Sequence, residues 1–212
     1  GLIRENLPHV PVLLDIPGPK IRTQPLEREL SVAVGDDVVL STEPGHNGNG
    51  KISLTATELH RDVSVGDRVL ADNGSLVLAI MEVHGRDITC QAESDGVIRS
   101  GKGVHVPGVN FNHGFISQRD KDLIALASEC KVDFIGVSFV QTHEQLKLVR
   151  DVLNNPSIRI ICKVETQGAL QCLDLLMDVA DGLMIDRGDL SLETDPEQVS
   201  LHQKRILTKA TE

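Results

Sequence analysis

The feature that most limits the fold of this chain is a change in its hydrophobic pattern near Ser117. From about Leu30 to Gln91 the apolar segments are short, rich in Val, Ile, Leu and Thr, and separated by turn residues, which is typical of β-strands. After Ser117, apolar segments of strand length alternate with segments that carry apolar residues at helical spacing. The sequence therefore predicts two regions, one all-β and one built from alternating strands and helices.

The β-rich region contains strong turn signals between its apolar segments. Asn-Gly at positions 73–74 is typical of a tight hairpin, and Gly-Asp at 35–36 and Gly-Arg at 85–86 also favour turns. One short motif occurs twice, as VAVGDDV from Val32 to Val38 and as VSVGDRV from Val63 to Val69. We interpret the two copies as the same turn used twice in a small antiparallel barrel or sandwich.

The region after Ser117 predicts a parallel sheet covered by helices, because continuous apolar strands separated by helices are typical of βα units. A capping-box pattern, Thr142 with Gln145, marks the start of one helix. The predicted strands are 133–139, 158–163 and 182–185, and the predicted helices are 117–130, one after Thr142, 168–179 and one starting near Thr194 with Pro196 in its first turn.

One further strand of the buried type, Val10–Asp15, precedes the β-rich region. The β-rich region is therefore inserted in the sequence between the first parallel strand and the helices that follow Ser117. The predicted boundaries lie near Thr23 and Val109. They define a first part at 1–23, an inserted β-domain at 24–108 and a second part at 109–212.

Composition excludes several classes of function. The chain has 31 acidic and 21 basic residues, a formal net charge of -10, which disfavours nucleic-acid binding because that binding requires positive charge. No apolar segment approaches the roughly 20 residues of a membrane span. The four cysteines form no CxxC pair and are expected to be buried free thiols in a reducing compartment. These observations predict a cytoplasmic protein that binds neither nucleic acid nor membrane.

Polar residues follow the predicted parallel strands, at the ends where binding sites form in such sheets. They are Asp15, followed by Gly18, Lys20 and Arg22; Ser138 and Phe139; Lys163 and Glu165; and Asp186, Arg187 and Asp189.

These residues suit a metal-assisted reaction of an anion. Glu165 and Asp189 offer the hard oxygen ligands that Mg²⁺ and Mn²⁺ prefer. Lys163 is two residues before Glu165, so both side chains project from the same side of an extended chain. A lysine and an arginine near such a cation suit a phosphoryl group. The alternatives are an ordinary Lys163–Glu165 ion pair and a capping role for Asp189 at the next helix.

Five segments together resemble the pyruvate kinase family. They are LLDIPGPKIRT, SGKGVHVPG, VSFVQ, ICKVET and DGLMIDRGDLSLE, in that order and across nearly the whole chain, from about Val10 to Glu212. The resemblance implies a (β/α)₈ TIM barrel with a small β-rich domain inserted after its third strand, in agreement with the boundaries above. The expected fold class is therefore α/β, a partial (β/α)₈ barrel with an inserted all-β, barrel-like domain.

The resemblance implies a glycolytic, ATP-binding phosphotransferase that transfers the phosphoryl group of phosphoenolpyruvate to ADP, giving pyruvate and ATP. Glu165 and Asp189 resemble the ligands of the divalent cation, Mg²⁺ or Mn²⁺. Lys163 resembles the lysine that stabilises the transferring phosphoryl group and the developing enolate, and Arg22 an arginine that contacts the phosphates.

The resemblance also implies binding roles. Arg187, Gly188 and Asp189 resemble the loop that receives the substrate carboxylate, mainly through backbone N–H groups at a helix start. The expected binding residues are Ser138 and Phe139 for the substrate, Lys102 with Arg22 for the nucleotide, and Asp15 for a monovalent cation.

The chain departs from the family pattern at four positions. Lys20 replaces a usual Glu, and in this family that lysine accompanies independence from K⁺, because its ammonium substitutes for the ion. Asp186 replaces a small residue, Ser191 a glycine, and Asn112 an acid of the cleft. We therefore expect K⁺ not to be required.

The family's remaining barrel strands and its C-terminal regulatory domain are expected outside these 212 residues. The chain alone is then expected to be weakly active or inactive, and the complete protein to be a homo-oligomer, usually a tetramer. Two alternatives remain: a non-catalytic binding or regulatory module, motivated by Asn112 and Asp186, and a metal-dependent aldolase or lyase of the related phosphoenolpyruvate/pyruvate barrels.

Overall fold

The structure of the protein is a computed structural model that describes residues 2–109 and 115–211. Its strands are β1 Leu13–Ile16, β2 Ile21–Arg22, β3 Leu30–Val32, β4 Asp37–Ser41, β5 Ile52–Ser53, β6 Arg68–Ala71, β7 Leu76–His84, β8 Asp87–Ala92, β9 Gly96–Ile98, β10 Gly103–His105, β11 Phe134–Val137, β12 Arg159–Val164 and β13 Gly182–Ile185. Its α-helices are α1 Leu2–Asn6, α2 Gln118–Glu129, α3 His143–Leu153, α4 Gln167–Gln171, α5 Leu173–Met177, α6 Arg187–Glu193 and α7 Val199–Lys209. Short 3₁₀ turns occupy Leu59–Arg61 and Pro196–Gln198.

The chain divides into two compact units, each with its own hydrophobic core. The first, called the sheet–helix unit below, comprises Gly1–Pro19 and Gly114–Glu212, and the second, the β unit, comprises Lys20–His113. The predicted domain boundaries, near Thr23 and Val109, stay a prediction.

The sheet–helix unit is built on a parallel sheet with the strand order β1-β11-β12-β13 in the described part of the chain. All three strand pairs are parallel, which confirms the parallel sheet that the alternating pattern predicts. The middle strands are buried on both faces: Ile135 and Ile160, both fully buried, lie opposite each other in neighbouring strands. This explains their continuous apolar sequence.

Side chains at the starts of two helices satisfy backbone N–H groups that have no partner within the helix. Ser117 and Asp120 form a complete capping box at the start of α2. At the start of α3, Gln145 Oε1 accepts from the backbone N–H of Thr142 at 3.2 Å, which confirms the predicted capping position.

Three details of the predicted elements are wrong. The first strand spans Leu13–Ile16 instead of 10–15. The helix predicted over 168–179 is two short helices, α4 and α5, because the chain leaves helical geometry at Cys172, with φ -107° and ψ 26°. The hydrophobic pattern did not predict the helix α6 directly after β13, since its sequence, RGDLSLE, has no apolar stripe long enough to identify it.

The β unit contains a curled sheet with the strand order β2-β10-β6-β7-β8-β4-β5 among the described residues. Its two outer strands meet: Thr23, just after β2, pairs with Leu54, just after β5, and the N–H of Thr55 donates to the carbonyl of Arg22 at 2.9 Å. A sheet whose edges pair in this way closes into a barrel and leaves no long open edge. The turn pattern predicted either a small barrel or a sandwich, and the structure shows the barrel.

The repeated motif of the β unit forms the same turn twice. In the first copy Asp36 Oδ2 accepts from the N–H of Ala33 at 2.9 Å, and in the second Asp67 Oδ2 accepts from the N–H of Ser64 at 2.7 Å. The glycine before each aspartate has a positive φ, 89° and 96°. This Asx-type turn uses the aspartate to bond a nearby backbone N–H.

Composition led to two expectations, buried free cysteines and no membrane-spanning segment, and the structure bears on both. All four cysteines are free, but only Cys90 and Cys162 are buried, whereas Cys130 is exposed, so the expectation of buried thiols is wrong for that residue. Burial raises the pKa of Cys162 to about 12, which makes it a poor nucleophile although Lys163 is its neighbour in sequence. None of the helices in the described ranges is long and apolar enough to cross a membrane.

Candidate active site at the carboxyl ends of the parallel strands

The four strands of the parallel sheet carry polar side chains at the same edge. Asp15 lies in β1, Ser138 follows β11, Lys163 is in β12 with Glu165 just after it, and Asp186 follows β13. Because parallel strands in register end at the same edge, residues far apart in sequence become neighbours there.

Lys163 is the centre of this cluster. Its ammonium donates to the hydroxyl of Ser138 at 2.8 Å and lies 3.5 Å from Asp15, 3.5 Å from Glu165 and 3.3 Å from Asp186. Burial lowers the pKa of Lys163, but the neighbouring carboxylates outweigh burial, and the net effect is a raised pKa. Lys163 therefore stays protonated and holds its positive charge at the strand ends.

Glu165 is fully buried beside Lys163. One oxygen, Oε1, accepts from the backbone N–H of Phe139 at 2.6 Å. The other, Oε2, is buried and has no hydrogen-bond partner in the described part of the chain. Burial, with smaller contributions from the charges of Asp189 and Asp186, raises the pKa of Glu165 to about 7, although Lys163 and the Phe139 N–H act in the opposite direction.

The backbone around Ser138 and Phe139 is shaped to support these side chains. Phe139 has a φ of 55°, a left-handed conformation that is rare for a bulky residue and marks local strain. This conformation accompanies the hydrogen bond from its N–H to Glu165. Gly18, with a φ of 63°, approaches the carbonyl of Ser138 so closely that an added Cβ would lie 2.6 Å from its oxygen.

Carboxylate oxygens of Glu165, Asp186 and Asp189 all lie within 4.8 Å of one another. That spacing is compatible with one divalent cation, and the buried Oε2 of Glu165 is an acceptor that such a cation would satisfy. These residues therefore fit a Mg²⁺ or Mn²⁺ site. Asp186, one of the three, was not predicted as a ligand from the sequence, although its position directly after a strand was the signal that could have identified it.

The start of α6 lies at the same edge. Asp186 is the residue that caps this helix, since its Oδ1 accepts from the N–H of Asp189 at 3.5 Å. The alternative that Asp189 is the cap is wrong. Burial raises and Lys163 lowers the pKa of Asp186, and the net direction is downward, so Asp186 is an anion at neutral pH. Arg187 and Gly188 are exposed.

Two of the predicted phosphate-contacting residues are neighbours within the β unit. Arg22 donates from its guanidinium to the carbonyl of Gly101 at 2.8 Å, and Lys102, the next residue, forms an ion pair with Asp72 at 3.2 Å. Pairing of β2 with β10 brings the two basic residues together. Lys20 is exposed at the start of the same unit. Asn112 lies outside the described residues.

A parallel sheet with helices, and with acids and a lysine clustered at its strand ends, is typical of α/β enzymes, barrels among them. The family model described as "Pyruvate kinase, barrel domain" matches residues 3–212. The chain belongs to this family. The expected fold class, a partial TIM barrel with an inserted β-rich region, is confirmed.

Individual relatives agree with this assignment. The chain is 36% identical over 204 residues to "Pyruvate kinase" of Bacillus licheniformis, a match that covers 93% of this chain and 35% of that protein. It is 34% identical over 216 residues to "Pyruvate kinase" of Clostridium perfringens, which covers 100% of this chain and 46% of that protein. The chain thus spans less than half the length of these relatives.

A solved structure is similar over almost the whole chain. The crystal structure of a pyruvate kinase from Cryptosporidium parvum superposes with a TM-score of 0.87 at 29% identity, covering 97% of this chain and 45% of that one. The predicted roles of individual site residues stay predictions, because these likenesses concern the fold and the family.

Proposed function

We propose that the protein, at its full natural length, transfers the phosphoryl group of phosphoenolpyruvate to ADP in glycolysis, giving pyruvate and ATP. The observation that carries this proposal is the cluster around Lys163. One buried ammonium lies within 3.5 Å of three carboxylates, and a buried glutamate oxygen beside it has no hydrogen-bond partner among the described residues. Such a cluster suits a reaction in which a cation and an anionic substrate enter together.

Glu165 and Asp189 are the proposed ligands of Mg²⁺ or Mn²⁺. When bound, the divalent cation supplies positive charge that neutralises phosphoryl and enolate oxygens. Glu165 has no freedom to turn away, because Oε1 is held by the Phe139 N–H at 2.6 Å, so Oε2 stays directed at the cluster. This fixed geometry means that little reorganisation is needed when the cation arrives.

Lys163 and Arg22 are the proposed catalytic residues, Lys163 at the strand ends and Arg22 at the phosphates. In the transfer, the bond between phosphorus and the enol oxygen of phosphoenolpyruvate breaks, a bond from phosphorus to an ADP oxygen forms, and the enolate takes a proton at its methylene carbon. Negative charge develops on the enol oxygen as this bond breaks and is carried on the oxygens of the transferring phosphoryl group, and a fixed ammonium stabilises it without rearrangement. Ser138, which accepts from Lys163 at 2.8 Å, holds the ammonium in place.

The binding residues are proposed from the resemblance and from their exposure. Arg187, Gly188 and Asp189 present backbone N–H groups to the substrate carboxylate, with Ser138 and Phe139 beside the substrate. For Arg22 and Lys102 we propose contacts to the phosphates of the nucleotide; both are basic and neighbours within the β unit.

For the monovalent cation, Asp15 is the proposed ligand and Lys20 its substitute, so K⁺ is not required. Activity measured in tetramethylammonium buffer is expected to change by less than about twofold when KCl is added. Strong activation by KCl would contradict this role of Lys20. Location in the cytoplasm and assembly into a homotetramer are further parts of the proposal.

The test is a coupled assay of pyruvate formation by the full-length protein with phosphoenolpyruvate, ADP and Mg²⁺. Lys163→Met is expected to lower kcat by about 100-fold or more, because it removes a fixed positive charge from the transition state. Lys121→Met, on an exposed position of α2, is the matched control and is expected to retain full activity. Equal activity of the two variants would contradict the proposal.

A non-catalytic binding module is the second candidate, and the ion pair of Lys163 with Asp186 at 3.3 Å favours it, since an extra anion there occupies the ammonium. This candidate predicts metal-dependent binding of phosphoenolpyruvate without pyruvate release. The aldolase or lyase alternative predicts pyruvate release without ADP. The same assay, run with and without ADP alongside a binding measurement, separates all three.

A further inference from the structure

The carboxylate of Asp186 makes two kinds of contact, and the roles proposed above for the site explain only one of them. It lies directly after β13, with its carboxylate 3.3 Å from the ammonium of Lys163, and its side chain is 33% exposed. It is also one of the three residues whose carboxylate oxygens lie within 4.8 Å of one another, with Glu165 and Asp189. Ion pairing with Lys163 explains the first contact but does not explain why Asp186 lies in one group with Glu165 and Asp189.

Several carboxylates share one ammonium at this edge of the sheet. Asp15, Glu165 and Asp186 all lie within 3.5 Å of Lys163, and Glu165 and Asp186 also form the carboxylate group with Asp189. One ammonium can compensate one of the three charges that it contacts. Like charges at such separations repel one another strongly where water is excluded, so the group favours a cation of higher charge.

An independent observation indicates where that cation lies. Oε2 of Glu165 is buried and accepts no hydrogen bond from any residue that the structure describes; it has only a long ion-pair contact with Lys163 at 3.5 Å, and it belongs to the same carboxylate group. A buried carboxylate oxygen without a hydrogen bond is costly to maintain, and a directly bound ligand would satisfy it. The spacing of the three carboxylates is thus compatible with one cation position that Asp186 borders together with Glu165 and Asp189.

We propose that Asp186 is a third carboxylate ligand of the divalent cation and raises the affinity of the protein for that cation in the absence of substrate. The inference rests on the proposed function, which assigns the cation to Glu165 and Asp189. It adds that a third carboxylate replaces a water molecule in the coordination shell. The cation is then held before the substrate arrives.

The test measures binding of Mn²⁺ alone to the full-length protein by titration calorimetry and by electron paramagnetic resonance. Asp186→Ala and Asp186→Asn are each expected to weaken Mn²⁺ binding by about tenfold or more. The matched control is Asp15→Asn, which removes a carboxylate at a similar distance from Lys163, 3.5 Å, but outside the three-residue group. Its expected effect is below about threefold, because the charge is exposed and screened.

A second measurement counts the water molecules on bound Mn²⁺ by water-proton relaxation. Asp186→Ala is expected to gain one exchanging water, whereas Asp15→Asn gains none. A folded Asp186→Ala protein, judged by circular dichroism, with wild-type affinity and water count would overturn the inference. Equal weakening by the Asp186 and Asp15 variants would also overturn it, since the effect would then be general electrostatics.

Glu165→Gln separates this inference from the proposed function. If it abolishes Mn²⁺ binding while Asp186→Ala has no effect, the two-ligand site stands and the role of Asp186 is wrong. If the wild type binds no Mn²⁺, or if Glu165→Gln binds as the wild type does, the metal site of the proposed function fails as well.

Discussion

The two units of the chain place their charged side chains in different surroundings. In the β unit, ion pairs involve partly exposed side chains, as in Arg68 with Glu93 at 2.8 Å, and some form small networks, since Asp72 contacts both Arg99 and Lys102. In the sheet–helix unit, one largely buried lysine lies among several carboxylates at the strand ends, and Glu165 among them is fully buried. Exposed ion pairs are stabilised by water, whereas buried carboxylates depend on the few cations and donors around them.

The difference shows that the number of charges is a poor guide to a site, while their burial is a better one. Exposed pairs contribute little to stability and screen readily, so their loss is tolerated. A buried unbalanced group costs stability in the absence of its ligand, and such a cost is typical of functional positions.

The largest expected effect is the loss of stability when a core residue is shortened, and we expect this loss to be similar in the two units. Ile135 in the sheet–helix unit and Ile88 in the β unit are both fully buried. Replacement of either by Ala is expected to lower the free energy of unfolding by about 2–5 kcal/mol, because a buried cavity is created. Urea denaturation of the two variants measures this. A loss below about 1 kcal/mol in either would show that the core of that unit is poorly packed.

The second prediction contrasts two glycines with positive φ. A Cβ at Gly18 would lie 2.6 Å from the carbonyl oxygen of Ser138, whereas a Cβ at Gly35 would meet nothing within 4 Å. Gly18→Ala is expected to cost roughly 3 kcal/mol and to impair the site, and Gly35→Ala roughly 1 kcal/mol, the cost of its φ alone. Thermal unfolding compares them; equal losses would mean that the close approach at Gly18 relaxes.

The third prediction uses the raised pKa of Glu165 in metal-free protein. The folded-state pKa is about 7 against an ordinary value of 4.5, so above pH 4.5 the unfolded chain releases this proton first. Stability is therefore full below that pH and falls as pH rises through 7, by roughly 2 kcal/mol between pH 5 and pH 7.

The Glu165→Gln variant, measured in the presence of a chelator, should lose this pH-dependent decline, because the amide does not titrate. Glu93→Gln, which alters a surface pair of the β unit, should retain it. A decline of the same size in all three proteins would assign the effect to other groups.

The smallest expected effect belongs to the surface pairs. Arg68→Ala removes an ion pair whose side chains are 65% and 39% exposed. The expected loss is below about 1 kcal/mol and should shrink in 1 M NaCl. Chemical denaturation at two salt concentrations measures this loss of stability. A loss above about 2 kcal/mol would mean that this ion pair contributes more than an ordinary surface pair.

Much of the fold could be predicted because its signals are local. Asn-Gly at 73–74 favours a hairpin wherever it occurs between strands, and β6 and β7 do pair across it. The repeated Gly-Asp turn follows from one glycine and one side chain that bonds its own backbone. The break at Cys172 and the short helix α6 could not be predicted, because tertiary packing, more than propensity, decides where short helices form.

For the site, the residues that reach the strand ends follow from the sequence alone, since a strand boundary and an alternating side-chain direction place Lys163 and Glu165 there. The folded chain was needed to show that Glu165 is buried, with one oxygen that accepts no hydrogen bond from the described residues, and that Asp186 joins Glu165 and Asp189 in one group. Sequence could not show this because burial and the distances between charges depend on atoms from strands distant in sequence. A sequence lists the charges, but only the folded chain fixes the distances between them.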